Sequence, residues 1–547
     1  MPRKVSPEEV LSVYERNAGN IRATAKELGI SRSSVRRNLA PLGKLDKPIA
    51  AGSIEGTKSV KRPLPKKGEI LRYILTSAQN NTFVHDSAWR NLLALSVYYN
   101  AEIIVGTYTY NQNRYGALSV KRGKDKVEEK QLWYDPKIVP YINDERIELG
   151  KGLVWCGEMN ILPTAVNPLA GLESYTGRAS AIFPHAKLAM RSIATMQGEG
   201  VKLNYTTGTV TQKNYIQKRE GVIAEFHHIY GALLVEVNSN GNWWVRQLNE
   251  DEKGVIQDLD VVVKNATVTI GNRVEAITYG DLHGTFADEQ IVKASWDMLD
   301  TLQPKYQFLH DVMEGAAVNP HQRKYNTNHE KFHTWLRGYH KLDNELVDTA
   351  KLLEGFQRPF AQTIIVDSNH DDAWIKRWLR EYDYRKDPPN TEIFLRLQAF
   401  LYSQIRNGVT DEQSRARTAN PKMVRDINVL EFALRSEGGY SAKARFLGTD
   451  ESFLTCGKKI ENGMHGHLGP AGRFGTPENL SRMGRKANTA HTHATGIYNG
   501  LYVAGTSSKL RWDYTKGPSN WTHTHIVTYP NGKRSLVTIY DGKWRAQ

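Results

Sequence analysis

The residues best suited to chemistry in this sequence are acids and histidines that lie next to short apolar runs in its C-terminal half. Thirteen of the 17 histidines fall within residues 281–547. The first apolar run, 274–279, leads into Gly280-Asp281-Leu282-His283-Gly284. An Asp-x-His pair offers one hard oxygen and one imidazole to the same ion, and the flanking glycines let the backbone turn tightly. This pattern indicates metal ligation.

Four further segments of this kind follow in order along the chain. Their polar residues are His310 and Asp311, then Asn369, His370 and Asp371, then His465 and His467, and finally His491 and His493. In an α/β sheet, ligands gather at the carboxyl ends of the strands, where loops converge. The five segments can therefore meet at one site.

The ordered set resembles the calcineurin-like metallophosphoesterase superfamily. Its pattern is Asp-x-His, Gly-Asp-x-x-Asp, Asn-His-Asp/Glu, a lone His often within His-Gly-His, and Gly-His-x-His. The resemblance covers residues 266–547 and implies a four-layer α/β/β/α sandwich holding two divalent ions. It implies that one ion is bound by Asp281, His283, Asp311 and His493, that Asp311 bridges, and that Asn369, His465 and His491 bind the second ion.

The same resemblance makes His370 the acid near the leaving group, kept in position by Asp371. The sequence departs from the family pattern at four positions, but every direct ligand type is kept. Glycines of the pattern are replaced by His310, Ser368 and Ala490, and its second acid by Glu314. Asp300 is an alternative to Asp311, and His467 is an alternative to His465.

The expected cofactor is a pair of divalent ions. Two such ions share a hydroxide and polarise the phosphoryl oxygens. A bridging carboxylate is needed because two dications at that distance repel strongly. Mixed oxygen and imidazole ligands suit Mn²⁺ or Fe, with Mg²⁺ and Zn²⁺ less favoured, so Mn²⁺ is the first choice.

Residues 1–42 resemble the helix-turn-helix family. Ser6-Pro7-Glu8-Glu9 is a helix start, and Gly29 makes the turn before the third helix. That helix presents cationic and hydroxyl side chains where a recognition helix meets DNA. These DNA-binding candidates are Arg32, Ser33, Arg36 and Arg37. The alternative is a small helical bundle used for protein contacts.

The rest of the chain divides by composition and periodicity. Residues 43–68 are rich in Lys, Pro and Gly, which predicts a flexible basic linker. Residues 69–265 predict an α/β domain of unknown role, with strands at 71–75 and 103–108 around a helix at 89–97. Within residues 266–547, a helical insertion is expected at about 373–445. The predicted fold class is α/β throughout the larger part of the chain.

The composition favours a polyanionic partner. The net charge is +15, which favours nucleic acid through counterion release. No apolar run is long enough to span a bilayer, no secretory signal is present, and two cysteines give no disulfide framework. We therefore expect DNA as the partner, no membrane contact and a cytoplasmic location, and leave a homo-oligomer open.

These features together predict a metal-dependent DNase. The overall layout also resembles that of a large early-expressed nuclease of a tailed bacteriophage, which implies action on host DNA in the bacterial cytoplasm. One alternative is a phosphatase or small-substrate phosphodiesterase. Another is a non-catalytic DNA-binding regulator on a degenerate phosphoesterase fold, which loss of a metal ligand would mark.

Overall fold

The computed structural model describes residues 5–17, 21–30, 32–39, 59–110, 133–319, 328–410, 427–512 and 516–546. The chain divides into two compact units, Met1–Lys58 and Ser59–Gln547. No helix in the described part combines the length and the apolar character that a membrane span requires.

The first unit contains helices Pro7–Arg16, Ile21–Leu28 and Arg32–Leu39. The Ser6 hydroxyl accepts a hydrogen bond from the Glu9 backbone N–H (3.2 Å), as its N-cap position predicts. Gly29 has a φ of 61° at the turn. The side chains of Arg32, Ser33, Arg36 and Arg37 lie outside the described residues, so their DNA contacts stay a prediction.

The second unit is a mixed α/β structure, which confirms the fold class. Its helices are Asp86–Tyr99, Arg219–Phe226, Glu289–Leu302, Asn328–Leu336, Leu342–Gly355, Asp372–Glu381, Thr391–Thr410, Val429–Ser436 and Pro477–Leu480. Its strands are β1 Val60–Lys61, β2 Ile70–Gln79, β3 Ala101–Tyr108, β4 Arg146–Gly150, β5 Leu153–Cys156, β6 Ser180–Phe183, β7 Met190–Ile193, β8 Lys202–Thr206, β9 Gly231–Asn238, β10 Trp243–Asn249, β11 Val255–Asp258, β12 Val261–Lys264, β13 Thr267–Thr269, β14 Ala276–Thr278, β15 Tyr306–Leu309, β16 Gln362–Ile365, β17 Ala444–Phe446, β18 Leu454–Thr455, β19 Ile460–Glu461, β20 Lys486–Thr489, β21 Gly496–Tyr498, β22 Leu501–Val503, β23 Thr524–Thr528 and β24 Arg534–Thr538.

A six-stranded sheet positions the first three of the five segments that carry predicted ligands, here called ligand segments. Its order is β17-β16-β15-β14-β23-β24, and β14 to β17 are parallel. Thr278 of β14 lies beside Phe308 of β15, which lies beside Ile364 of β16. The carboxyl ends of these three strands therefore meet at one edge, which is where each ligand segment begins.

An eleven-stranded sheet contains strands from both sides of residue 265, the predicted domain boundary. Its order is β1-β4-β5-β6-β8-β7-β21-β22-β20-β19-β18. The two parts of the chain join where Met190 of β7 pairs antiparallel with Ile497 of β21. This pairing satisfies strand edges that would otherwise be exposed. Residues on both sides of 265 thus share their largest sheet.

The last part of the predicted linker, from residue 59, is described by the structure and includes a short strand. Residues 43–58 lie outside the described residues, but β1 pairs with β4, with Val60 beside Ile147. Arg62 adds an ion pair with Glu102 at 2.8 Å. Lys61 and Arg62 therefore lie at the edge of the sheet, and the flexibility of the linker stays a prediction.

The predicted strand-helix-strand unit is present in a smaller sheet of order β10-β9-β2-β3. Its strands β2 and β3 are parallel and flank the helix Asp86–Tyr99. The segment 221–226 belongs to the helix Arg219–Phe226. Its apolar residues Val222, Ile223 and Phe226 have helical spacing and are exposed, so no sheet face requires them.

Two large cores fix these sheets. One lies between the six-stranded sheet and the helices, with Ile277, Leu309 and Met298 fully buried. The other brings residues of the eleven-stranded sheet against residues of the four-stranded and six-stranded sheets, as Tyr502 of β22 and Ile526 of β23 illustrate. Helices thus pack on the six-stranded sheet, which in turn packs on the eleven-stranded sheet. This packing is compatible with a sandwich, and the four-layer arrangement stays a prediction.

Candidate metal centre

The first segment, 280–284, follows β14 and is held from several sides. The Gly280 N–H donates to His525 Nδ1 at 3.1 Å, and the Ser507 N–H donates to the Asp281 carbonyl at 2.8 Å. A Cβ at Gly280 would lie 2.7 Å from the Gly505 backbone. Glycine is therefore required where this loop crosses its neighbour, and His525 supports the loop that carries Asp281.

The second and third segments are fastened together by Asp371. Its buried carboxylate accepts from the N–H groups of Val312 (3.0 Å) and Met313 (2.9 Å), directly after Asp311. Asp371 thus holds the loop that carries Asp311. The role toward His370 that the resemblance implies for Asp371 stays a prediction.

One group of ligand-type residues comprises Asp281, His283, Asp311 and His493, all buried, with one ligand atom of each within 4.8 Å of the others. His283 Nε2 lies 2.9 Å from His493 Nε2, and His493 Nε2 lies 3.1 Å from Asp281 Oδ2. Two imidazole nitrogens and a carboxylate oxygen thus converge on one point. This arrangement matches an oxygen and imidazole site for a divalent ion.

A second group comprises Asp311, His465 and His491. His465 Nε2 lies 3.2 Å from Asp311 Oδ2 and 3.1 Å from Asn369 Oδ1. The seven residues that the resemblance implies as ligands are therefore brought together in two groups that share Asp311. Their roles as ligands stay a prediction.

The pKa and the hydrogen bonding of the buried Asp281 carboxylate are compatible with a bound cation. Burial and the neighbouring Asp311 carboxylate raise the pKa of Asp281 well above its usual range. Among the described residues, Asp281 Oδ1 has no hydrogen-bond donor. A divalent ion would hold both carboxylates ionised and would satisfy this oxygen.

The histidines fit a cation as well. Burial lowers the pKa of His491 and of His493 to about 4, so each imidazole is neutral and keeps a lone pair. His283 Nδ1 lies 2.9 Å from Glu314 Oε2, which leaves its Nε2 as the ligand atom. Metal-binding histidines commonly donate their other ring N–H to a carboxylate in this way.

The backbone of the centre is strained at several ligands. The φ angles are 52° at His283, 41° at Asp311, 72° at His491 and 56° at His493. Non-glycine residues rarely adopt this conformation, which costs about 1 to 3 kcal/mol each. Strain of this kind clusters at functional sites, and here it coincides with the predicted ligands.

His370 lies at the rim of the two groups. Its Nδ1 is 3.4 Å from Glu314 Oε2, and its ring packs against Trp374 with centroids 3.7 Å apart. Burial lowers the pKa of His370, but the carboxylates of Asp311 and Glu314 outweigh this and raise it to about 9. These two carboxylates favour the protonated imidazole that a proton donor requires.

Asp300 and His467, the two alternative ligands from the sequence, lie outside the two ligand groups. Asp300 is half exposed and forms an ion pair with Arg358 on the surface (Nη2 to Oδ2 2.9 Å). The His467 ring centroid is 5.5 Å from that of His465, and His467 belongs to neither ligand group among the described residues. The geometry favours Asp311 and His465.

Several residues of the centre were not predicted as functional. Glu314 contacts both His283 and His370, and its position three residues after Asp311 was the available signal. His310 Nδ1 lies 3.4 Å from His465 Nδ1. Around the metal groups, Trp512 packs on His283 (4.6 Å), which no sequence motif indicated.

The family of this chain follows from its similarity to a known protein. No protein-family model matches it. It is 37% identical over 519 residues to protein A1 of Escherichia phage T5, and the match covers 92% of this chain and 87% of that protein. Similarity at this level along nearly the full length of both chains shows a shared family. The chain therefore belongs to the family of the phage T5 protein A1.

Proposed function

We propose that the chain is a metal-dependent nuclease, a phage-encoded hydrolase that cleaves phosphodiester bonds of DNA in the bacterial host cytoplasm. The observation that carries the proposal is the pair of buried ligand groups that share Asp311. Centres with two divalent ions about 3.5 to 4 Å apart serve phosphoester cleavage in many enzymes. The five segments that supply these residues follow the metallophosphoesterase order.

The residues of the centre define where the ions would bind. Asp281, His283, Asp311 and His493 would hold one ion, and Asp311, Asn369, His465 and His491 would hold the other. Two divalent ions supply a hydroxide nucleophile and stabilise the charge of the phosphoryl transition state. The mixture of carboxylate, amide and imidazole ligands favours Mn²⁺, with Mg²⁺, Fe and Zn²⁺ as alternatives.

The chain itself supplies the proton for the leaving group. His370 is partly exposed, with 14% of its side chain accessible, and the carboxylates of Asp311 and Glu314 favour its protonated form, so we expect it to donate to an oxygen of the substrate. Glu314 and Trp374 fix the orientation of its ring. Asp371 holds the loop of Asp311 and thereby keeps the acid and the ligands in register.

Charge and organisation support DNA as the substrate. The net charge of +15 favours a polyanion. The N-terminal unit has the three helices of a helix-turn-helix, and the related protein A1 comes from a phage. A phage nuclease acting on host DNA accounts for all three features.

The test is hydrolysis after removal of metal. The chain is stripped with EDTA and given plasmid, linear duplex or a chromogenic phosphodiester, with and without Mn²⁺. We expect two Mn²⁺ per chain and cleavage of all three substrates only when Mn²⁺ is present. Hydrolysis of the chromogenic phosphodiester without cleavage of plasmid or duplex would show a small-substrate phosphodiesterase. DNA binding without hydrolysis or metal would show a regulator on a degenerate fold.

The N-terminal unit should control affinity for DNA and leave the chemistry intact. A chain that begins at Ser59, the start of the second compact unit, should hydrolyse the chromogenic phosphodiester at the full-length rate. Its affinity for long DNA should be weaker and should fall less steeply with salt, because fewer phosphate contacts release fewer counterions. Binding isotherms at several salt concentrations measure both quantities.

Neutralising Arg32, Arg36 and Arg37 together in the full chain should reproduce part of that loss. Unchanged affinity and salt slope in the shortened chain would make the unit a protein-contact module.

A further inference from the structure

An exposed aromatic side chain lies beside the metal ligands. Phe474 is 74% exposed, and its ring centroid is 5.8 Å from that of His491. His491 belongs to the ligand group of Asp311 and His465. Single exposed apolar residues are common on protein surfaces and need no explanation. The position of Phe474 and the rigidity of its support make this one different.

A short hairpin, 467–475, holds Phe474 in place. Leu468 and Phe474 pair across it as an antiparallel bridge, and the Gly475 N–H donates to the His467 carbonyl at 2.9 Å. The Phe474 carbonyl accepts from Asn479 Nδ2 at 3.0 Å. The ring is therefore carried by a hydrogen-bonded turn with little freedom to fold back and bury itself.

The hairpin is locked directly onto a metal-ligand segment. A Cβ at Gly475 would lie 1.9 Å from the Gly466 carbonyl oxygen, so only glycine permits this approach. Gly466 lies between His465 and His467, and Ala490 N–H donates to the His465 carbonyl at 2.8 Å. The position of Phe474 is thus set by the same backbone that sets the ligands.

Aromatic and cationic groups continue around the other ligand group. The ring centroids of Trp521 and His493 are 4.1 Å apart. Phe286 stacks on Trp512 with a centroid distance of 5.2 Å. The Arg337 guanidinium lies 4.9 Å above the Phe286 ring. Beside Phe474, Arg473 is exposed. Aromatic faces next to cations are the composition that binds bases and phosphates of single strands.

We infer that Phe474 stacks on a nucleobase adjacent to the scissile phosphate and gives the centre a preference for single-stranded DNA. The inference rests on the proposed nuclease function. In a duplex both faces of a base are covered by its neighbours, whereas an unpaired base can leave the stack and offer a face to Phe474. Stacking of this kind tolerates any base sequence, because every base has a π face.

The test compares Phe474→Ala with the full-length chain loaded with Mn²⁺. The substrates are a single-stranded oligonucleotide, the corresponding blunt duplex, and a strand of the same length made of abasic sugar phosphates. We expect the wild type to prefer the single strand and Phe474→Ala to raise KM on it about tenfold, as loss of one stacked base implies. Phe474→Trp should restore the affinity, because indole also stacks.

Two comparisons separate stacking from a structural effect. The penalty of Phe474→Ala should be much smaller on the abasic strand, since there is no base to lose. Phe226→Ala removes a ring that is 81% exposed and lies outside the centre, and it should leave KM unchanged. An equal penalty on both strands, or a wild-type KM on the normal strand, would overturn the inference.

Failure of the proposed function would look different. In that case the wild-type chain with bound Mn²⁺ would cleave none of the three substrates. A wild type that cleaves DNA without preferring the single strand, and a Phe474→Ala variant that behaves identically, would leave the nuclease standing and remove only the role of Phe474.

Discussion

Asp311→Ala should abolish DNA cleavage and weaken the binding of both metal ions. Asp311 is the one residue that the two ligand groups share, and its Oδ2 lies 3.2 Å from His465 Nε2 and 3.7 Å from His283 Nε2. Without this carboxylate, two dications would face each other with less negative charge between them. We expect kcat to fall on the order of 10³-fold or more, as for loss of a main electrostatic group.

Metal stoichiometry by titration with Mn²⁺ and single-turnover cleavage of plasmid measure the two effects. Asp300→Ala is the matched control, because this acid pairs with Arg358 at the surface and was the alternative from the sequence. It should keep two ions and full activity. An Asp311→Ala chain that binds two Mn²⁺ and cleaves at the wild-type rate would show that the second segment is misassigned.

His370→Ala should behave in the opposite way with respect to metal. His370 forms with His283 and Glu314 a third group that could hold an ion. It belongs to neither of the two groups that share Asp311, so we expect the variant to retain two ions. Its kcat on DNA should fall about 10²- to 10⁴-fold, the usual contribution of a positioned acid.

The leaving group provides the discriminating readout for His370. A nitrophenolate leaves without needing a proton, so the loss in His370→Ala should be smaller on a chromogenic phosphodiester than on DNA. Glu314→Gln alters the contacts to both His370 Nδ1 and His283 Nδ1, so it should show a weaker form of the same pattern together with weaker metal binding. Equal losses on both substrates would make His370 a structural residue.

The sequence by itself predicted which side chains come together in the centre, because these side chains lie next to short strands. The strands β14, β15 and β16 were visible as apolar runs, and each ligand segment begins where its strand ends. Parallel pairing then brings Asp281, Asp311 and Asn369 to one edge. The order of the segments along the chain was enough to expect this.

Long-range contacts could not be predicted in the same way. The pairing of Met190 with Ile497 joins segments about 300 residues apart, and a strand edge does not encode which distant edge covers it. The use of Asp371 by the backbone of Val312 and Met313 likewise depends on how two loops cross. The spacing of the motifs predicts neither this strand pairing nor these hydrogen bonds.

The sequence therefore determined which residue types follow the strands as predicted metal ligands and in what order they occur, since these are local properties of strand ends and turns. Only the tertiary structure decided that Glu314 contacts two histidines, that Asp300 is remote, and that Phe474 is held in solvent beside His491. These outcomes depend on packing between segments far apart in the chain, where small differences in sheet pairing and loop crossing decide which side chains touch.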